Sequence, residues 1–335
     1  MMERSAAFFP LTLLALLLAF VVVVLGAYTR LTHAGLGCPD WPGCYGGMLV
    51  PDAAEAIESA NALYPDRPLH QGKAWTEMIH RYAAGALGLI ILLLGVLGWR
   101  HRRAYGQAVR IPLLLVAMVI VQAALGMWTV TMLLKPVVVT AHLLGGMAVL
   151  ALLFWLLLGQ FFHGPAAPGE RDRLLPWAIT GLAVVSAQIF LGGWTSANYA
   201  ALACPEFPVC RDGAWWPTPD FREAFILWRG LGIDYEGGVL DSAARTAVHL
   251  AHRIGAVVTA LVLLAVALRA LVGQGGRARS MGTVILVLLC VQIGLGVANV
   301  VMVLPLGVAV AHNAMAALLL LSLVALLHLS LVRRR

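Results

Sequence analysis

Four histidines, His80, His142, His252 and His312, stand near the starts of long apolar segments that hold few other ionisable groups. An ionisable side chain inside a membrane signals function by default. Two imidazoles suffice to ligate a haem iron from both faces, and imidazole is a common axial ligand. Any one of these histidines alone reads better as a side chain hydrogen-bonded between helices, and a metal site or proton relay is a further reading. The recurrence at four matching places favours haem ligation, two histidines to a haem. Arg81 and Arg253 each directly follow one of them. A guanidinium at the interface pairs with carboxylates such as haem propionates, or its stem snorkels so that the charge meets lipid phosphates. His33, His70, His101, His163 and His328 fall in loops or near segment ends and are expected to be surface residues.

Glu77 lies three residues before His80, where His249 precedes His252. Residues three apart share a helix face, so Glu77 is expected beside whatever His80 binds. A carboxylate there stabilises positive charge or accepts a proton. The alternative is a solvated first-turn acid that complements the helix dipole.

Four of the five cysteines form two pairs, Cys38/Cys44 in CPDWPGC and Cys204/Cys210 in CPEFPVC. Both pairs fall in long loops expected outside the membrane, where an oxidising compartment permits disulfides. Neither is a C-x-x-C-H haem-attachment motif or a zinc pattern, so any haem is expected to be held without a thioether bond. Each pair is read as a local disulfide, either a structural staple or a redox pair. Cys290 is read as packing.

These residues need membrane helices to position them. Hydrophobic residues make up 61% of the 335 positions and charged residues 12%, with mean hydropathy +0.87. Soluble chains carry about 25% charged residues. Eight segments are long enough to cross a hydrocarbon core of ~30 Å: Phe8–Ala27, Met78–Trp99, Ile111–Leu134, Val137–Phe162, Leu174–Trp194, Ala247–Val272, Met281–Leu304 and Leu306–Val332. The fold class expected is an all-α membrane protein. The first segment, preceded by Arg4, is longer than a typical signal-peptide core and is expected to be retained.

The net charge of +7 is not spread as on a nucleic-acid-binding protein. Arg100, Arg102, Arg103 and Arg110 fill one short loop, Arg269, Arg277 and Arg279 another, and Arg333, Arg334 and Arg335 end the chain. The two long loops are acidic on balance: 28–77 holds three basic and six acidic residues, and 197–246 four and seven. Basic loops stay cytoplasmic. Both termini are therefore expected in the cytoplasm, the cysteine loops in the periplasm and the chain in a bacterial cytoplasmic membrane, with lipid rather than nucleic acid around it.

The chain also repeats itself. LGAYTRLTHAGLGCPDWPGC from Leu25 matches LGGWTSANYAALACPEFPVC from Leu191, and MIHRYAAG around His80 matches LAHRIGAV around His252. Gln122 and His142 are spaced as Gln292 and His312 are. This predicts two tandem four-helix bundles, 1–165 and 170–335, related by a pseudo-twofold axis along the membrane normal. Within each half the odd helices end in Leu-Gly (Gly26, Gly126, Gly192, Gly296), and the even helices begin with the histidines. The glycines serve close helix packing or leave room for a flat ligand.

Taken together, the eight-helix duplication, Glu77-x-x-His80-Arg81, His142, His252-Arg253, His312 and the Cys38-to-Cys44 loop resemble the haem A synthase family across essentially the whole chain. The resemblance implies an oxidoreductase that converts the C8 methyl of haem O to a formyl group by two successive hydroxylations and loss of water. It implies a haem b cofactor on His252 and His312 in the C-terminal half and substrate at His80 and His142 in the N-terminal half. It also implies a haem O synthase (a farnesyltransferase) and a membrane electron donor as partners. The rival reading is a dihaem b-type electron-transfer subunit, which would show two equivalent sites; the Glu77/His249 difference opposes it. A haem transporter would show broken helices or charges at mid-membrane, which the sequence lacks.

Overall fold

The computed structural model describes residues 7–101, 109–161, 168–272 and 276–331. Among them are ten helices: α1 (Phe8–Leu31), α2 (Ala54–Leu63), α3 (Gln71–Arg100), α4 (Arg110–Thr131), α5 (Pro136–Leu158), α6 (Pro168–Ala197), α7 (Phe221–Ala224), α8 (Ser242–Leu271), α9 (Gly276–Val301) and α10 (Leu306–Leu331). The described residues contain no β-strand, only isolated bridges at Cys44–Gly47 and Arg211–Ala214. All except α2 and α7 are long and apolar enough to span a bilayer, at 22 to 30 residues. At 1.5 Å per residue they reach roughly 33–45 Å. Leu89, Ile120, Val257 and Leu261 are each at least 60% exposed on their surfaces. Such side chains suit a lipid-facing surface, and the chain is a multi-pass membrane protein.

The helices exceed the hydropathic segments at several ends. α3 begins at Gln71 rather than Met78, α8 at Ser242 rather than Ala247, α6 at Pro168 rather than Leu174, and α1 runs on to Leu31. Hydropathy falls where a helix leaves hydrocarbon, but its backbone ladder continues until a cap or turn ends it. The His70 ring accepts from the Lys73 amide at the start of α3, and Asp241 from the Ala244 amide at the start of α8. Conversely, α4 stops at Thr131 and α9 at Val301, short of Leu134 and Leu304. There the sequence stays apolar while the backbone turns left-handed at Leu133–Leu134 and Val303–Leu304.

One closure recurs at the ends of α1, α4, α6 and α9. His33, Leu133, Tyr199 and Val303 take φ of 50–58°. Beyond each, an amide reaches back five residues, as Leu134 does to the Thr129 carbonyl and Ala200 to Thr195. This double hydrogen bond satisfies carbonyls that a helix end otherwise leaves open.

The long helices pack as two four-membered rings, α1-α3-α4-α5 and α6-α8-α9-α10, which meet along α1, α5, α6 and α10. The shared seam is rich in small and fully buried residues, including Ala15, Ala317, Leu150, Leu153 and Leu323. At one end of the bundle the two long loops interlock. Arg67 pairs with Asp234 and Glu236, the Tyr235 amide donates to the Leu133 carbonyl, and Arg30 donates to the Ser196 carbonyl. Arg4, Arg102, Arg103, His163 and Arg333–Arg335, which bear on orientation and surface, lie outside the described residues.

Candidate functional site

Each of the four histidines lies against a glycine of the preceding membrane-spanning helix: His80 against α1, His142 against α4, His252 against α6 and His312 against α9. A Cβ built on Gly26 would sit 3.1 Å from His80 Cε1, on Gly126 3.4 Å from His142, on Gly192 3.3 Å from His252, and on Gly296 3.2 Å from His312. The imidazoles themselves therefore fill the space the glycines leave. Every one of these glycines is five residues from the end of its helix, so the four rings share a level. His80 and His252 lie nine and ten residues beyond Gln71 and Ser242, the first residues of their helices, because α3 and α8 project into the loops.

The four histidines are partly buried, and their nitrogens are poorly partnered. Nδ1 of His80, His142 and His312 has no hydrogen-bond partner. Gln188 Nε2 lies 3.1 Å from His252 Nδ1, and Gln292 Nε2 lies 3.2 Å from His312 Nε2. Leaving a buried polar atom unpaired costs about 1–3 kcal/mol, and these open nitrogens are available to a ligand. Among the described residues no group of three or more His, Cys, Asp or Glu is placed to hold a metal ion. A haem iron brings four porphyrin nitrogens and asks the protein for only two, and imidazoles with an open nitrogen fit it.

Glu77 occupies the second turn of α3 and is buried, so it is not the solvated first-turn acid of the alternative reading. Its Oε2 accepts from the Cys38 amide at 2.8 Å, and its Oε1 pairs with Arg81 at 2.5 Å. His249 makes the same connections in the second ring: the Cys204 amide lies 3.2 Å from its Nδ1 and Arg253 Nε 3.2 Å from its Nε2. Both arginines continue into the cysteine loops. Arg81 donates to the carbonyls of Asp40, Pro42 and Gly43. Arg253 donates to those of Val209, Cys204 and Glu206. Nη1 of Arg81 and both terminal nitrogens of Arg253 are thus engaged by loop carbonyls.

The loops are built alike. Cys38–Cys44 and Cys204–Cys210 are both disulfides, with all four cysteines buried. The carboxylate two residues after the first cysteine closes each turn: Asp40 accepts from the Tyr45 and Gly46 amides, and Glu206 from those of Asp212 and Gly213. Burial pushes the Tyr45 phenol above its ordinary pKa, so it stays neutral and donates to the Arg67 carbonyl at 2.9 Å. Cys290 is a free thiol exposed on α9, not a packed one.

The sequence reading overlooked two features. It saw His249 only as the absence of a carboxylate, although the repeat of an arginine four residues later signalled a shared task. It used Gln122 and Gln292 only as markers of the repeat and passed over Gln188, which also precedes a Leu-Gly pair by three residues.

A family model described as cytochrome oxidase assembly protein matches residues 10–324. The heme A synthase of Shewanella oneidensis is 47% identical over 312 residues, covering 93% of this chain and 93% of that protein. That of Sphingopyxis alaskensis is 29% identical over 93% of this chain and 88% of its own length. That of Caulobacter vibrioides is 28% identical over 90% of each.

Proposed function

The chain belongs to the family of cytochrome oxidase assembly proteins, and from that premise we propose that it is a haem A synthase. It is an oxidoreductase that acts on the C8 methyl of haem O by two successive hydroxylations and loss of water, leaving the formyl group of haem A. The observation that carries the reading is the set of four partly buried histidines at one level, each on a glycine, with a carboxylate three residues before only one of them.

His80 and His142 are assigned to the substrate haem, and His252 and His312 to a resident, non-covalent haem b. When bound, that haem supplies one-electron transfer. The chain's own contribution is positional and electrostatic. The two imidazoles of the first ring fix the substrate iron, and hence the ring edge that bears the methyl, relative to Glu77 on the same face of α3. Arg81 pairs directly with the Glu77 carboxylate. A negative charge beside a carbon that loses electron density stabilises the transition state, and an Oε of Glu77 can take a proton. Arg81 and Arg253 act mainly by clamping the cysteine loops over α3 and α8, with any propionate contact left to their remaining N–H groups.

Residues 1–165 and 170–335 are proposed as duplicated halves with a pseudo-twofold relation. The cysteine loops are assigned to the periplasm and both termini to the cytoplasm of a bacterial inner membrane. A haem O synthase would supply the substrate, and a membrane electron carrier would complete the reaction. The dihaem electron-transfer reading calls for equivalent sites, and Glu77 opposite His249 speaks against it. Expression with and without a haem O source, followed by chromatography of extracted haems, tests the function: haem A should appear only with the source.

A further inference from the structure

Three of the four helices that carry the glycines also carry a glutamine one turn earlier: Gln122 before Gly126, Gln188 before Gly192 and Gln292 before Gly296. In α1 the corresponding residue is Val22. The amides lie beside the histidines. Gln188 Nε2 is 3.1 Å from His252 Nδ1 and 3.0 Å from the His252 carbonyl. Gln292 Nε2 is 3.2 Å from a ring nitrogen of His312. The Gln122 amide lies against Gly145, three residues after His142, where any Cβ would collide with it. His80 has only the backbone carbonyl of Val22 to bond.

The amide oxygens give the arrangement its meaning. Oε1 of Gln188 and of Gln292 is buried without a partner. An imidazole that ligates iron through one nitrogen carries a proton on the other; turning each amide over, which exchanges Nε2 and Oε1 without changing its shape, gives that N–H the oxygen acceptor it needs. Groups that hydrogen-bond the outer nitrogen of a ligating histidine fix its orientation and raise its basicity.

We propose that Gln188 and Gln292 are positioning residues for the axial histidines: each holds the ring and the proton of His252 or His312, making a permanent pair. Val22 offers His80 a backbone carbonyl but no side-chain amide, as suits a ligand that must take up one haem after another. The inference rests on the assignment of the resident haem to the second ring.

The test uses the purified full-length protein with its resident haem, read by redox titration and by the electron paramagnetic resonance of the low-spin iron. Gln188→Leu and Gln292→Leu remove the acceptor, so the ferric state loses support and the midpoint potential should rise. Gln188→Glu and Gln292→Glu supply a stronger acceptor and should lower it, an opposition that a mere packing role would not produce. Gln122→Leu should leave potential and spectrum unchanged. If the leucine variants lose their haem, the glutamate variants still decide, because haem retained at an unchanged potential overturns the proposal. Unchanged potentials and spectra in all five variants overturn it as well. A shift in Gln122→Leu alone would keep the role of the amide but move the resident haem to the first ring, sinking the assignment of halves instead.

Discussion

The Cys38 amide donates to Glu77 Oε2 at 2.8 Å, tying the first disulfide loop to the helix that carries His80. The Cys204 amide and His249 form the same tie in the second ring. The position therefore has a structural task in both halves, which histidine and glutamate perform equally well as acceptors. What glutamate adds is charge.

That separation gives the sharpest test of Glu77. Glu77→His should copy the second ring, keep the loop anchored and spare the haem b spectrum. Glu77→Gln should do likewise through its amide oxygen. Both should cut haem A formation by 10²–10⁴-fold, the usual contribution of one positioned acid–base group, with hydroxylated intermediate accumulating if the second oxidation suffers more. Near-normal haem A from either variant, read by chromatography of extracted haems, would reduce Glu77 to a loop anchor.

The glycines offer a second test. Gly192→Val places a branched side chain where His252 Cε1 now lies 3.3 Å from an ideal Cβ. The ring must swing away, and the protein should lose most of its low-spin haem b. Gly26→Val should displace His80 and abolish product while sparing haem b. An unchanged absorption spectrum in Gly192→Val would show that the glycine contact is incidental.

Thiol labelling checks the loops. Intact, non-reduced protein should label at Cys290 alone, since the other four cysteines are paired and buried. After reduction and unfolding all five should label. Strong labelling of the four before reduction would refute both bridges.

Much of this was legible in the sequence. Apolar runs of membrane-spanning length mark helices because hydrocarbon leaves no other way to satisfy the backbone. Histidines stand out in such runs because they are expensive there. The projecting turns of α3 and α8 were not legible, since they run past the hydrocarbon and depend on His70, Asp241 and packing against the loops. Nor were the partners of Arg81 and Arg253. Carbonyl acceptors leave no signature in residue type, so the contacts of these guanidiniums with the cysteine loops had nothing in the sequence to announce them. The Arg67 contacts with Asp234 and Glu236 join residues far apart in the chain, with no local pattern to announce them.

The division of labour between the two histidine pairs is the centre of the account. Alanine variants of His80, His142, His252 and His312, each purified after expression with a haem O source, are compared by haem b spectrum and by extracted haem A. The account predicts that His252→Ala and His312→Ala lose most haem b, whereas His80→Ala and His142→Ala keep it and make no haem A. Equal loss of haem b across all four variants would contradict it.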